Sequence, residues 1–136
     1  MNIKYTKNIA TITPNMLIGF FQGWPNPPSS VTHLKILQRS YRAYVAIDTN
    51  LNKVVGFINA VSDGILSAYV PLLEVLVSYQ GRGIGSKLVT LILEDCKDLY
   101  MVDICHDEDL IPYYAKFGAR KCSASIIRNY TAQSGK

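Results

Sequence analysis

The chain has 136 residues, of which 49% are hydrophobic and 18% charged, and these values are typical of one compact domain rather than two. The longest apolar stretch, Leu88 to Leu93, is interrupted at Thr90 and is far shorter than the roughly 20 residues that a membrane-spanning helix needs. The net charge is +4, but Lys and Arg are scattered, whereas a nucleic-acid-binding face shows them in clusters. We therefore predict one domain, residues 1–136, whose partner is neither a membrane nor a nucleic acid.

The N-terminal residues indicate the compartment of the protein, and the cysteine spacing indicates whether it binds a metal. Residues 1–7 have the pattern of a strand, with no apolar core or cleavage site of a secretory signal, so we expect a cytoplasmic protein. Cys96, Cys105 and Cys122 form no C-x-x-C pair, and each lies within an apolar run. We therefore predict three buried free thiols and no metal site.

The first forty residues predict one strand and two helices. Residues 2–7 alternate loosely as a strand does, and Thr13-Pro14 is a typical helix start. Apolar residues at helical spacing then predict a short helix that ends near Gly23. The segment 24–29 contains three prolines and must be an irregular loop, after which Ser30 is expected to cap a second helix that ends near Ser40.

Three antiparallel strands are predicted next. Residues 41–47 and 54–61 are rich in β-branched and aromatic residues and flank the polar turn 48–53, as in a hairpin. Asp63-Gly64 marks another turn, and residues 65–77 are long enough for the third strand.

The rest of the chain alternates between helices and strands. A glycine-rich turn at 81–85 precedes a strongly periodic helix, and a strand at 99–105 follows. A helix is predicted at 108–117, stopped by Gly118, then a final strand at 123–130 and a frayed polar tail at 131–136. This order indicates an α+β or mixed α/β fold.

The turn between the third strand and the periodic helix has the features of a phosphate-binding loop. Gly81, Gly83 and Gly85 allow close approach of the main chain to an anion, and the helix start supplies free N–H groups and positive charge. A P-loop or a dinucleotide fingerprint starting at Gly81 would require glycine at position 86, where the chain has serine. Both of these loop classes are excluded by spacing.

The loop Gln80-Gly81-Arg82-Gly83-Ile84-Gly85 resembles the (Arg/Gln)-x-x-Gly-x-(Gly/Ala) motif of GNAT-family N-acetyltransferases. The segment Pro112-Tyr113-Tyr114-Ala115-Lys116-Phe117-Gly118 is similar to the F-Y-x-x-x-G-F segment of the same family. Residues 63–80 look most like the small serotonin or arylalkylamine acetyltransferase branch. The chain departs from the family pattern at Val77, at Gln80 and at Ala119, where proline, arginine and phenylalanine are commoner.

The resemblance implies a GNAT fold, with a mostly antiparallel twisted sheet flanked by helices, and acetyl-coenzyme A as cofactor. It also implies that the strand before the loop splays and offers backbone amides near Val75 and Val77 to the pantetheine arm and the thioester oxygen. The cofactor-binding residues that it implies are Val75, Leu76, Val77, Gln80, Gly81, Arg82, Gly83, Ile84, Gly85 and Ser86.

Two residues are candidates for proton transfer. Tyr114 matches the family's usual general acid, although a tyrosine at this position could also simply pack or leave the role to Tyr113. Glu74 is the only carboxylate in the apolar part of its strand and is a candidate base, because a half-buried carboxyl has a raised pKa. The other candidates for the base are Tyr69, His106, Asp107 and a chain of water molecules.

The acceptor is predicted to be the primary amine of a small molecule with an aromatic or apolar body, such as an arylalkylamine, which attacks directly in a ternary complex. Phe21 and Trp24 are the candidate substrate-binding residues, because prolines would hold Trp24 in place at the cleft that the resemblance implies. Two alternatives remain open, namely a non-catalytic sensor of acyl-coenzyme A and an acetyltransferase for a peptide or protein amine. The sequence also leaves the oligomeric state open, with a homodimer as one outcome.

Overall fold

The computed structural model describes residues 1–136 and contains one five-stranded sheet. Its strands lie in chain order across the sheet, and each neighbouring pair is antiparallel except the last, which is parallel. The strands are β1 (Ile3–Thr6), β2 (Arg42–Asp48), β3 (Lys53–Ser62), β4 (Ser67–Val75) and β5 (Met101–Asp103). The prediction of a mostly antiparallel sheet is confirmed.

Three helices accompany the sheet, namely α1 (Ser30–Arg39), α2 (Ile84–Asp95) and α3 (Ile111–Ala115). Short 3-10 turns occur at Ile9–Thr11, Pro14–Leu17, Val77–Tyr79, Glu108–Leu110 and Tyr130–Ala132. The mixed α+β fold class is confirmed. No helix in the structure is both long and apolar enough to cross a membrane.

Both faces of the sheet are covered by other elements. Alternate residues of each strand point to opposite faces, so each face contributes to its own core. On one face, Tyr44 and Ala46 belong to a core that includes Leu88 and Ile92 of α2 and Tyr114 of α3. On the other face, Val45, Phe57 and their neighbours pack with Leu37 of α1 and the 3-10 turn at 14–17. The second core supports the segment between residues 17 and 24.

The first predicted helix is much shorter than expected. Thr13-Pro14 does begin a helical turn, but this turn is of the 3-10 type and ends at Leu17. Gly19 and Gly23 have left-handed backbones, with φ of 108° and 81°, and Phe21 between them has φ of 63°. Left-handed residues end a right-handed helix, so the apolar spacing that predicted a longer helix reflects packing of an irregular segment on the core.

The predicted final strand at 123–130 is wrong. These residues form no strand, and the chain from Gly118 to Ala132 is exposed at every position. Beyond them, the 3-10 turn at Tyr130–Ala132 and a hydrogen bond from the Asn26 amide to Gln133 Oε1, at 3.0 Å, hold the tail against the proline-rich loop. The predicted fraying of the tail concerns motion and stays a prediction.

Other boundaries shift by a few residues. The cap of α1 is Ser29 rather than Ser30, because Ser29 Oγ accepts the Thr32 amide at 3.2 Å. The predicted strand at 65–77 starts at Ser67 because Asp63 Oδ1 accepts the amides of residues 65–67 in a turn. The predicted strand 99–105 and helix 108–117 shrink to β5 and to α3 with its preceding 3-10 turn.

The prediction of three buried thiols holds for only one cysteine. Cys96 is buried at the end of α2, whereas Cys105 and Cys122 are exposed, and all three are free. Cys105 follows β5, and Cys122 directly precedes the segment 123–130 that the sequence assigned to a strand. Because that strand does not form, the Cys122 thiol is exposed instead of buried.

Candidate active site

The glycine-rich turn leaves a row of backbone donors without partners. From Gly81 to Ser86, six consecutive N–H groups make no hydrogen bond within the protein. Gly83 is the N-cap of α2, and no side chain caps the helix and no acidic residue lies in its first turn. Gly81 and Gly83 have φ of 75° and 82°, a conformation that glycine adopts without strain. Free amides at a helix N-terminus attract an anion.

Contacts at both ends hold this turn in position. Gln80 Nε2 donates to the Val75 carbonyl at 3.0 Å, and the Tyr79 hydroxyl donates to Asp48 Oδ2 at 2.7 Å. That hydrogen bond lowers the pKa of Asp48 and raises the pKa of Tyr79, because it favours the charged carboxylate and the neutral phenol. The loop is therefore fixed to the ends of β2 and β4.

The Arg82 side chain is turned toward the N-terminus of the chain. Its guanidinium lies 5.6 Å from the centroid of the Tyr79 ring and donates to Met1 Sδ at 2.9 Å. These contacts border a cavity of about 220 Å³ between Asp48, Ser78 and Arg82. The Arg82 guanidinium is therefore held by Tyr79 and Met1 at the edge of this cavity.

An opening separates the ends of β4 and β5. The two strands pair only from Ser67 to Tyr69 with Met101 to Asp103, so the last six residues of β4 have no partner on that side. The Leu76 amide donates to the Val55 carbonyl at 2.9 Å, and the alternation of an antiparallel ladder then directs the Val75 N–H away from β3, into the opening. The Val77 N–H has no partner within the protein.

Two tyrosines connect α3 to this region. The Tyr113 hydroxyl lies 3.3 Å from Ser86 Oγ, at the first turn of α2. Tyr114 is buried in the core cluster that contains Leu76 and Ile84, and its ring stacks on His106 with centroids 4.6 Å apart. The Tyr114 hydroxyl makes no hydrogen bond within the protein, and burial, followed by the Tyr113 phenol, raises its pKa. Tyr114 therefore keeps its proton at neutral pH.

Glu74 lies on the opposite face of the sheet from Val75. Its Oε1 accepts the Phe21 amide at 2.8 Å, and its Oε2 accepts the Gln22 amide at 3.3 Å. The carboxylate thus holds Phe21 in its left-handed conformation, and the hydrogen bonds offset the backbone strain of that conformation. This geometry assigns Glu74 a positioning contact, and its predicted role as a base stays a prediction.

Phe21 and Trp24 lie side by side, with ring centroids 4.9 Å apart. Phe21 is buried, whereas Trp24 is 38% exposed. Phe21 also lines a cavity of about 160 Å³ between residues 17–21 and the start of α1. Glu74 thus joins Phe21 to β4 through the Phe21 amide.

His33 is a site residue that the sequence reasoning missed. It is 1% exposed and lines the same cavity, and neither of its ring nitrogens has a hydrogen-bond partner. The rings of Phe20, Phe21 and Phe57 surround it, and burial lowers its pKa to about 4. The sequence offered one signal, a histidine on the apolar face of a predicted amphipathic helix. A buried polar group without a partner inside an aromatic cage is a candidate for ligand contact.

Comparisons with known proteins agree with this geometry. A sequence model of the Acetyltransferase (GNAT) family matches residues 11–119. No curated protein matches the chain. The crystal structure of a proposed acetyltransferase from Deinococcus radiodurans R1 is 41% identical, with a TM-score of 0.93 over 97% of this chain and 92% of that one. That alignment therefore includes most of the exposed C-terminal segment.

Two further structures extend the similarity. A GNAT family acetyltransferase from Streptococcus pneumoniae TIGR4 is 30% identical, with a TM-score of 0.73 over 94% of this chain and 97% of that one. Glucosamine-6-phosphate N-acetyltransferase from Arabidopsis thaliana shares the fold at 15% identity, with a TM-score of 0.72 over 95% of this chain and 99% of that one. The family model and the two closer structures place this chain in the GNAT family of acetyltransferases.

Proposed function

We propose that this acetyltransferase moves the acetyl group of acetyl-coenzyme A to the primary amine of a small molecule, by direct attack in a ternary complex. The observation that carries the proposal is the row of six free N–H groups from Gly81 to Ser86. This row fits a diphosphate, because each N–H can donate to a phosphate oxygen and the helix dipole adds positive potential.

The residues around the loop fit the rest of the cofactor. Gln80 directly precedes the free amides and Arg82 is one of the residues that carry them, and Leu76 and Ile84 belong to the apolar core cluster beneath. The opening beside Val75 and Val77 offers the N–H groups that an extended amide-containing arm requires. When bound, acetyl-coenzyme A supplies the acetyl group as a thioester.

The chain's own groups account for the other requirements of acyl transfer. The Val75 N–H, directed into the opening, can donate to a carbonyl oxygen that gains negative charge. Tyr114 holds a proton on Oη and can offer it, or a hydrogen bond, to a leaving thiolate. Glu74 is the proposed base, and a carboxylate that accepts two amides retains lone pairs for a third donor.

For the acceptor we propose an amine with an aromatic body, bound by Phe21 and Trp24. The support is the cavity lined by Phe20, Phe21 and His33, in which neither ring nitrogen of the buried His33 has a partner. Its neutral imidazole has one donor and one acceptor nitrogen, so it can bind a hydroxyl or ring N–H of the acceptor. The loop that carries Phe21 is held by Glu74, which makes the cavity preorganised.

A thiol-release screen of amine acceptors, run with acetyl-coenzyme A, tests the proposed reaction. We expect turnover with at least one aromatic primary amine. Saturable coenzyme A binding by calorimetry without turnover on any amine would instead indicate the non-catalytic sensor, and turnover only on peptides would indicate a protein substrate. Absence of coenzyme A binding would contradict the whole proposal.

Trp24→Ala tests the acceptor assignment. We expect a selective rise in KM for an arylalkylamine and little change for a linear polyamine, because the substitution removes an aromatic contact surface. Val31→Ala is a matched control, since Val31 is an exposed apolar residue on nearby α1. Equal loss on both amines, or only a lowered melting temperature, would show that Trp24 is structural.

A further inference from the structure

We propose that Gln133 is a positioning residue for the acceptor, because it holds the proline-rich loop, residues 24–29, and so keeps Trp24 in place beside Phe21. Gln133 belongs to the C-terminal turn, residues 129–135. The link to the acceptor rests on the proposed function, in which Trp24 binds the amine. The hold on the loop rests on contacts within the protein alone.

The proline-rich loop has a single backbone donor between Trp24 and Ser29. Positions 25, 27 and 28 are prolines, which have no N–H group, so only Asn26 supplies one. The Asn26 amide donates to Gln133 Oε1 at 3.0 Å, across 107 positions of the sequence. One hydrogen bond therefore joins the middle of the loop to the C-terminal turn.

Other contacts fix only the two ends of the loop. At its start, the Trp24 amide donates to the Phe21 carbonyl at 3.2 Å. At its end, Ser29 Oγ caps α1 by accepting the Thr32 amide at 3.2 Å. Residues 25–28 make no hydrogen bond other than the one to the C-terminal turn. The middle of the loop thus depends on that contact.

The C-terminal turn holds the backbone of Gln133. Asn129 Oδ1 accepts the Thr131 amide at 3.2 Å and the Thr131 hydroxyl at 2.6 Å. These bonds begin the 3-10 turn Tyr130–Ala132, and the Gln133 amide then donates to the Tyr130 carbonyl at 3.2 Å. Because the turn already fixes the backbone, Gln133 loses only side-chain freedom when it binds the loop.

A second contact docks the C-terminal turn on α1. Gly135 has a left-handed φ of 81°, and a Cβ at this position would lie 2.9 Å from Thr32 Cγ2. The main chain of the turn therefore approaches α1 at a distance that only glycine allows. Burial agrees with this docking, because residues 118–132 are exposed whereas Gln133 and Ser134 are partly buried. The turn thus contacts both the loop and α1.

The loop that Gln133 holds borders the candidate acceptor site. Asn26 lies two residues after Trp24, whose ring centroid is 4.9 Å from that of Phe21. Because Trp24 is 38% exposed, its position depends on the loop as well as on its contact with Phe21. Glu74 holds Phe21 from β4, through the Phe21 amide at 2.8 Å. Glu74 and Gln133 therefore hold the two aromatic residues from opposite ends of the chain, which lowers the cost of ordering them when the acceptor binds.

Fluorescence of the single tryptophan tests the hold on the loop without any substrate. We expect Gln133→Met to increase acrylamide quenching of Trp24 and to shift its emission to the red, because the variant lacks the oxygen that accepts the Asn26 amide. Gln133→Glu should behave as wild type, since a carboxylate oxygen can accept the same amide. Gln38→Met is the matched control, because Gln38 is an exposed glutamine on α1 and its replacement should change neither quantity.

Steady-state kinetics test the effect on the acceptor. Gln133→Met should raise KM for an arylalkylamine about fivefold, the factor that corresponds to one hydrogen bond of ordinary strength, and should leave kcat and coenzyme A affinity unchanged. Gln133→Glu should restore the wild-type KM. A general loss of stability would not produce this separation of KM from kcat or this recovery.

Gly135→Val provides an independent disruption of the C-terminal turn. It should also increase the quenching of Trp24, because its Cβ would displace the turn from Thr32 without altering Gln133. Unchanged quenching in both disruptive variants, or an equal increase in Gln133→Glu, would overturn the hold on the loop. Increased quenching with an unchanged acceptor KM would overturn the positioning role.

The two kinds of measurement also separate this proposal from the proposed function. Absence of turnover on any amine would overturn the proposed function and, with it, the role of Gln133 toward the acceptor. The quenching series uses the protein without ligand, so it decides the hold on the loop in either case.

Discussion

The Tyr114 phenol is buried, unpaired and stacked on His106, and its pKa is raised. We predict that Tyr114→Phe lowers kcat by about 100-fold and leaves coenzyme A affinity unchanged, because only the hydroxyl proton is removed. Steady-state kinetics at saturating acceptor and calorimetry with coenzyme A measure the two quantities. Tyr113→Phe is the comparison variant, since its hydroxyl contacts Ser86 rather than the opening. A larger loss of kcat in the Tyr113 variant would show that Tyr113, and not Tyr114, donates the proton.

His33 makes stability depend on pH in a defined window. Its pKa of about 4 in the folded state lies below its ordinary value of 6.5, so the unfolded chain binds the proton first as the pH falls. The free energy of unfolding should therefore decrease between about pH 6.5 and pH 4, by up to about 3 kcal/mol from this group. We predict that His33→Phe removes this part of the pH dependence, as measured by urea unfolding at several pH values.

The other histidine provides the control for this measurement. His106 lies in an exposed segment, and comparing His106→Gln with His33→Phe shows which histidine carries the pH dependence. The carboxylates also titrate toward the lower end of the window, but they are common to both variants. Equal pH dependence in wild type and in the His33 variant would show that His33 is not buried as a neutral group.

At the scale of the element, the start of α2 depends on the left-handed Gly83. We predict that Gly83→Val abolishes measurable coenzyme A binding, because its side chain would project into open space beside the free amides. The left-handed conformation itself costs roughly 1–2 kcal/mol or more for a residue with a Cβ. Calorimetry measures the binding loss, and thermal unfolding measures the strain.

Gly118→Val separates these two effects. Gly118 also has a left-handed φ of 87° and open space around its Cβ position, but it lies after α3 and outside the loop. It should show a similar loss of stability with retained coenzyme A affinity. If both variants lose binding equally, backbone strain rather than access to the loop amides would be the cause.

At the scale of the whole molecule, ligand binding should stabilise the fold. Coenzyme A at 100 times its Kd should raise the free energy of unfolding by about 2.7 kcal/mol, provided that the unfolded chain does not bind it. Denaturant unfolding with and without the ligand measures this change. The Gly83→Val variant should show no such increase at the same concentration, and a stabilisation equal to that of wild type would place the ligand elsewhere.

Some features of this protein were determined by short stretches of its sequence. Turn residues and strand periodicity predicted the hairpin of β2 and β3, the following strand and helix α2, all within a few residues of their observed limits. The loop at 80–85 and the tyrosines of α3 indicated the family that the comparisons later showed. These predictions succeeded because turns, caps and apolar periodicity act between residues that are close in the chain.

The tertiary structure alone decided the remaining features. The strand predicted at 123–130 has no partner in its own chain, and the helix predicted up to Gly23 ends at Leu17. The amide of Phe21 is bound by Glu74, a residue 53 positions away, and His33 is enclosed by three rings from two separate segments of the chain. Such contacts join residues that are distant in sequence, so local patterns do not specify them, and packing fixes them only once the sheet has formed.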